Sequence, residues 1–172
     1  MIEAGASIID IGGESTRPGA QDVAVEEELS RIIPTLEAVK ERFDIQVSID
    51  TSKASVMAAS IASGADIIND VRALQNDGCL GAVASSKLPI CLMHMQGLPR
   101  TMQENPTYEN VVNDIKSFFE QRIKACEQAG IERKRIILDP GFGFGKTLEQ
   151  NYQLLANLSE FKCFDLPILS GT

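Results

Sequence analysis

Histidine, positive charge and long apolar runs are what this 172-residue chain has least of, and each shortage closes off a class of function. His94 is the single histidine, which excludes a multi-histidine metal centre and leaves one candidate for an imidazole base. The 16 Lys and Arg fall short of the 24 Asp and Glu, for a net charge of -8. A general nucleic-acid or anionic-membrane binder needs the opposite balance, so neither is expected as a partner. Any bound anion has to be met by local cations or backbone amides. No apolar run approaches the roughly 20 residues that span a bilayer, and Met1-Ile2-Glu3-Ala4 carries no basic leader. Cys79, Cys91, Cys126 and Cys163 include no C-x-x-C pair and three of them sit in apolar surroundings, so reduced thiols in a cytoplasmic setting are expected. With no low-complexity tract and no Gly/Ser linker, residues 1–172 read as one domain.

What the chain does have is five short apolar runs that each end in a polar side chain and a turn: Ile8 to Gly13, Val47 to Thr51, Ile67 to Asp70, Ile90 to His94, and Ile136 to Gly141. Each reads as a buried strand with a polar stop, and in series they put Asp50, Asn69 and Asp139 at equivalent places on one sheet. Parallel α/β architectures gather their chemistry at the carboxyl ends of strands, where polar groups converge while the strand bodies stay dry. The series therefore reads as an enzyme site assembled strand by strand.

The segments between have helical period. Val25, Leu29, Ile32, Leu36, Val39 and Phe43 recur at three and four, and Pro34 is expected to kink or split that helix. Ser52 to Ser63 follows, with Thr51 or Ser52 as N-cap and Gly64 as the stop. Tyr108 to Ala129 carries Val111, Ile115, Phe118, Arg122 and Cys126 along its rows, and Leu148, Tyr152, Leu155 and Leu158 mark the apolar face of a last helix. A sixth strand is expected at Leu166-Pro167-Ile168-Leu169-Ser170. Strand and helix alternating in this way imply parallel strands with right-handed crossovers. A (β/α)8 barrel typically takes about 250 residues, so the expected fold is α/β, an incomplete TIM-type barrel of about six βα units. A doubly wound sheet would be complete at this length, but its G-x-G-x-x-G fingerprint is absent.

Two glycine-rich loops follow strands. Gly145-Lys146-Thr147 matches the end of a Walker phosphate loop, but the position of its first glycine is Pro140, which excludes that mode of phosphate binding. Phe142 and Phe144 between the glycines offer flat apolar surfaces suited to an aromatic substrate, or else they belong to the core. In Gly12-Gly13-Glu14-Ser15-Thr16-Arg17-Pro18-Gly19, Thr16 and Arg17 can present a hydroxyl and a guanidinium fork to an anion; the alternative is a solvated turn. His94, at a strand end, is either a base or simply hydrogen-bonded within the mouth of the sheet.

Taken in order, these loops together with Asp50-Thr51-Ser52-Lys53, Ile68-Asn69-Asp70 and Cys91-Leu92-Met93-His94-Met95-Gln96-Gly97 resemble the dihydropteroate synthase family over essentially the whole chain. The resemblance implies a barrel, commonly dimeric, that joins 6-hydroxymethyl-7,8-dihydropterin pyrophosphate to 4-aminobenzoate with Mg2+ assistance and is inhibited by sulfonamides. It implies that Asp50, Asn69 and Asp139 hydrogen-bond the pterin, with Val71 and Met93 as apolar walls. Thr16 takes the pyrophosphate side with Arg17 and Pro18 beside it, and Phe142 lies against the aminobenzoate ring. The displacement it implies is dissociative, with pyrophosphate leaving before the amine attacks.

The same resemblance assigns the Mg2+-binding asparagine to an Asn-Val-Thr-Pro-Asp-Ser-Phe-Ser loop, and the aminobenzoate and pyrophosphate anion contacts to a Ser-Arg-Lys motif and a last strand. None of these is in the 172 residues, so no metal ligand is assigned among them. The polypeptide alone is expected to hold most of a pterin pocket without turning over, and to be poorly soluble through unpaired sheet edges. A methyltetrahydrofolate-type methyltransferase domain and a non-catalytic pterin-binding module are the alternatives.

Overall fold

A computed structural model describes residues 1–17, 19–97 and 101–172. Five strands form one parallel sheet: β1 (Ile8–Gly12), β2 (Gln46–Asp50), β3 (Ile67–Asp70), β4 (Ile90–Met93) and β5 (Ile136–Asp139). Their spatial order is β1-β2-β3-β4-β5, the order of the sequence. A doubly wound sheet reverses direction at a switch point, whereas unreversed order winds one way round and is the arrangement of a barrel wall. The fold is thus the α/β barrel type expected, in incomplete form.

Between the strands run α1 (Val25–Arg42), α2 (Ala54–Ala62), α3 (Cys79–Ala84), α4 (Val111–Gln128) and α5 (Leu148–Ala156). Alternation along the strands divides the sheet into two faces. Val47, Ile49, Ile68, Ile90, Leu92, Ile136 and Leu138 form the outer face and are essentially inaccessible to solvent. They pack with Ile32 and Leu36 of α1, Val56 and Met57 of α2, and Ile115, Phe119 and Ile123 of α4 in a single apolar cluster. The opposite, inner face carries the polar side chains.

Several local expectations need correction. Pro34 neither splits nor ends α1, which runs unbroken through it. Pro34 and Ser30, the residue whose carbonyl loses its partner, are not fully buried, so water can replace the missing bond. The N-cap of α2 is Lys53, not Thr51 or Ser52, whose hydroxyls are committed elsewhere. The sixth strand shrinks to one bridge, Leu138 to Ile168. On α5 the predicted apolar face is reversed: Leu148, Tyr152 and Leu155 are exposed and Leu154 is the buried residue. Helix α4 matches its pattern and is capped by Asn110, whose side chain accepts the Asn113 amide at 3.0 Å.

Candidate functional site

The register of the sheet determines which side chains share the inner face. Gly12 pairs with Asp50, Asp50 with Asn69, Asn69 with Cys91 and Cys91 with Ile137, which makes one continuous row. Met93 and Asp139, also paired, lie one step further along the same face, so Asp139 is displaced by one row from the other two predicted polar residues. Asp10, in register with Ser48, stands one step below Gly12, and the Asn69 Nδ2 donates to its Oδ2 at 3.4 Å. Asp10 is absent from the expected site residues; its place two residues before Gly12 on a strand is the signal that puts it on the same face.

Burial acts on both Asp50 and Asp139. Burial pushes the Asp50 carboxyl up from 3.8 to about 7, with Asp10, Asp70, Glu28 and Glu14 adding in the same direction. Burial also raises Asp139, partly offset by the Gly141 N–H it accepts at 2.8 Å and by Lys146. The Asn69 Oδ1 is buried and has no hydrogen-bond partner among the described residues. An unsatisfied buried acceptor beside two carboxylates is a place for a ligand with several N–H donors.

Three scaffolds hold the loops above this face. After β3, Asp70 accepts the Ser52 hydroxyl at 2.5 Å and the Arg72 and Leu74 amides, each at 2.8 Å. After β1, the Glu14 carboxylate accepts the Val23 amide at 2.6 Å and pairs with Lys53 Nζ at 2.9 Å. That lysine also meets the buried Glu28 at 2.5 Å, and Glu28 accepts the Thr51 hydroxyl at 2.5 Å. Burial works to lower Lys53, but the bonds to Glu28 and Glu14 outweigh it and hold the ammonium charged.

The third scaffold follows β5. Gly141 and Gly145 have positive φ, and a Cβ on them would lie 2.0 Å from the His94 carbonyl oxygen and 2.5 Å from that of Gln96. Lys146 is buried and donates to the carbonyls of Gly141 at 2.7 Å and Phe144 at 3.0 Å, with His94 Nδ1 at 3.1 Å. Burial lowers Lys146 to about 7, with Asp139 opposing. Burial first, and Lys146 second, lower His94 to about 3. His94 packs edge-on against Phe118 at 4.9 Å. Its burial, its contact with Lys146 and its packing on Phe118 fit the reading of His94 as a residue bonded within the mouth of the sheet.

A cleft of about 360 Å3 opens between the β1 loop and the ends of β2 and β3, lined by Thr16, Asp50, Val71 and Arg72 among others. Val71 and Arg72 also line an adjoining hollow of about 110 Å3 with Met93. Arg72 is the one cation lining the cleft among the described residues, and no sequence pattern marks it. Asn69 and Asp139 lie on the inner face without lining either hollow. Arg17 is exposed and lines neither, Phe142 is half-buried against the apolar cluster, and Pro18 lies outside the described residues.

A family model described as pterin binding enzyme matches residues 1–172. The dihydropteroate synthase of Escherichia coli K12 is 57% identical over 171 residues, which cover 99% of this chain and 61% of the relative. Among solved structures, a Yersinia pestis dihydropteroate synthase in complex with a sulfonamide drug has a TM-score of 0.97 at 54% identity, covering 99% of this chain and 62% of that one. A Xanthomonas albilineans dihydropteroate synthase with 4-aminobenzoic acid has a TM-score of 0.93 at 48% identity, covering 99% and 60%. The chain therefore spans about 61% of the length of the curated relatives it matches.

Proposed function

Since the chain belongs to the pterin-binding enzyme family, we propose that it forms the pterin-holding part of a dihydropteroate synthase. That enzyme condenses 6-hydroxymethyl-7,8-dihydropterin pyrophosphate with 4-aminobenzoate to dihydropteroate and pyrophosphate in folate biosynthesis. The observation that carries the reading is the partnerless Asn69 Oδ1, in register with Asp50 and one row from Asp139. A pterin's aminopyrimidinone edge is rich in N–H donors, and it would satisfy that oxygen and both carboxylates together.

In this reading Asp50, Asn69 and Asp139 bind and orient the pterin, and Val71 and Met93, both buried, are its apolar walls. Asp50, with its carboxyl near 7, is ionised by the arriving N–H donors, which favour the carboxylate. Thr16 faces the pyrophosphate end of the cleft, with Arg17 and Pro18 following it in the sequence. Phe142 takes the aminobenzoate side, where sulfonamides would compete. Orientation and electrostatic stabilisation of charge are what these groups can supply to a dissociative displacement.

Mg2+ is the cofactor this reading calls for. Among the described residues, no group of three or more His, Cys, Asp or Glu is gathered in a way that could hold a metal ion. These residues do not make up a Mg2+ site by themselves, and no step is assigned to one. A homodimer and a cytoplasmic location complete the proposal.

Calorimetric titration of the 172-residue chain with 6-hydroxymethyl-7,8-dihydropterin tests the reading. Micromolar binding that is lost in Asp139→Ala supports it, and no binding by the unaltered chain overturns it. Dihydropteroate formation by the same chain would overturn the narrower expectation that these residues bind without condensing, and with it the non-catalytic alternative.

A further inference from the structure

Glu14 and Lys53 are charged and largely sheltered, yet holding a pterin gives neither of them a task; the role inferred for Glu14 rests on that pterin-holding function. Lys53 is a cation beside the anion side of the cleft, but its Nζ is engaged by two carboxylates, Glu14 at 2.9 Å and the buried Glu28 at 2.5 Å. The pair of glutamates leaves the group net negative, so it repels a pyrophosphate rather than receiving it. Its geometry serves a different end. The Glu14 Oε1 accepts the amide of Val23 at 2.6 Å, so one side chain joins the two ends of the loop that carries Thr16. The Oε2 of the same carboxylate is tied through Lys53 to the turn after β2.

The base of the loop is fixed from a second side. The Arg31 guanidinium of α1 donates to the Gly13 carbonyl at 2.7 Å, and a Cβ at Gly13 would lie 2.8 Å from the side chain of Glu28. Glu28 in turn holds Thr51, the neighbour of Asp50. Glu14, Thr16, Asp50 and Thr51 all line the one cleft.

We propose that Glu14 is a positioning residue for the leaving-group end of the cleft: by accepting the Val23 amide and pairing with Lys53, it holds Thr16 in register with Asp50. The chemical class it selects for is a pterin bearing a diphosphate. Glu14 itself touches neither reacting atom.

The test compares two ligands and one amide. The unaltered 172-residue chain, E14A and E14Q are titrated with 6-hydroxymethyl-7,8-dihydropterin and with its pyrophosphate, and hydrogen exchange of the Val23 amide is measured in each. E14A is expected to weaken the pyrophosphate form about tenfold while leaving the bare pterin within about twofold, and to speed Val23 exchange about tenfold. E14Q keeps an acceptor for Val23 and is expected to recover part of both. Equal weakening of the two ligands, or none, overturns the inference, because a residue that only stabilises the fold does not discriminate between them. If the unaltered chain binds neither ligand, the functional reading itself fails; a Val23 amide still protected in E14A overturns the clasp independently of any ligand.

Discussion

The carboxylate of Asp70 accepts the amide of Leu74 at 2.8 Å across a turn in which Ala73 and Leu74, neither of them glycine, both have positive φ. Two consecutive left-handed residues cost on the order of 1 to 2 kcal/mol each. The turn persists because it is held from both sides: Asp70 takes its amides, and Arg122 on α4 donates to the carbonyls of Ala73 and Leu74 at 2.8 and 3.1 Å. What the turn presents is Val71 and Arg72, which line both hollows of the site.

Arg122→Ala removes both donors and leaves a strained turn with two unmatched carbonyls. A loss of about 2 to 3 kcal/mol in urea unfolding is expected. Arg122→Lys, with a single point donor in place of the fork, is expected to recover less than half of it. A change below about 0.5 kcal/mol for the alanine variant would show that the turn holds itself.

Asn69→Leu separates binding from stability. Its Oδ1 has no partner among the described residues and its Nδ2 makes only the 3.4 Å contact to Asp10, so replacing the amide by an apolar group of similar size is expected to leave stability unchanged or raise it by about 1 kcal/mol. Affinity for 6-hydroxymethyl-7,8-dihydropterin is expected to fall at least about tenfold. Thermal melts and titrations on one preparation check both, and a destabilised variant would mean that Asn69 serves the fold.

Asp50 makes stability depend on pH in a direction opposite to that of ordinary paired carboxylates. From about pH 4 upward the unfolded chain has lost the Asp50 proton, which the folded chain keeps until about 7. The folded state therefore loses stability as the pH rises from about 4 to about 7, and the loss levels off above. Asp50→Asn is expected to match the unaltered chain at about pH 4 and to be more stable at about pH 8, by about 2 to 4 kcal/mol. Melting both proteins across that range decides it; parallel curves would mean that Asp50 titrates as a solvated carboxylate.

Gly141→Ala is expected to cost about 3 kcal/mol or more, since its Cβ would meet the His94 carbonyl oxygen at 2.0 Å with φ at 70°. Gly143→Ala is the control: it shares the positive φ but has nothing within 4 Å of a Cβ. Its cost is expected to stay near about 1 kcal/mol. Equal melts for the two would remove the close approach as a constraint.

The five strands were legible because each is a short apolar run closed by a polar residue and a turn, and the inner face follows from alternation alone. The inner row was therefore visible in Asp50 and Asn69, as was the place of Asp139 on the same face. What was hidden depends on partners distant in sequence. Leu148, Tyr152 and Leu155 announce an apolar face, but α5 meets α4 and the 3-10 turn Leu158–Phe164 through its other side, where Leu154 is buried. Thr51 and Ser52 look like caps in one dimension; in three, Glu28 and Asp70 claim their hydroxyls. Arg122 reads as one more position on an amphipathic row, and nothing local tells that its fork reaches a turn 48 residues earlier.

The crowding at Gly141 and Gly145 bears on how variation can reach this site. Both positions are closed most tightly by backbone oxygens of the loop after β4, so a compensating side-chain substitution next door cannot make room. A ligand that drew its affinity from the main chain of residues 141 to 145 would press on codons with almost no viable alternatives. One that leaned on the exposed Arg17 would meet a side chain that the fold does not constrain in this way.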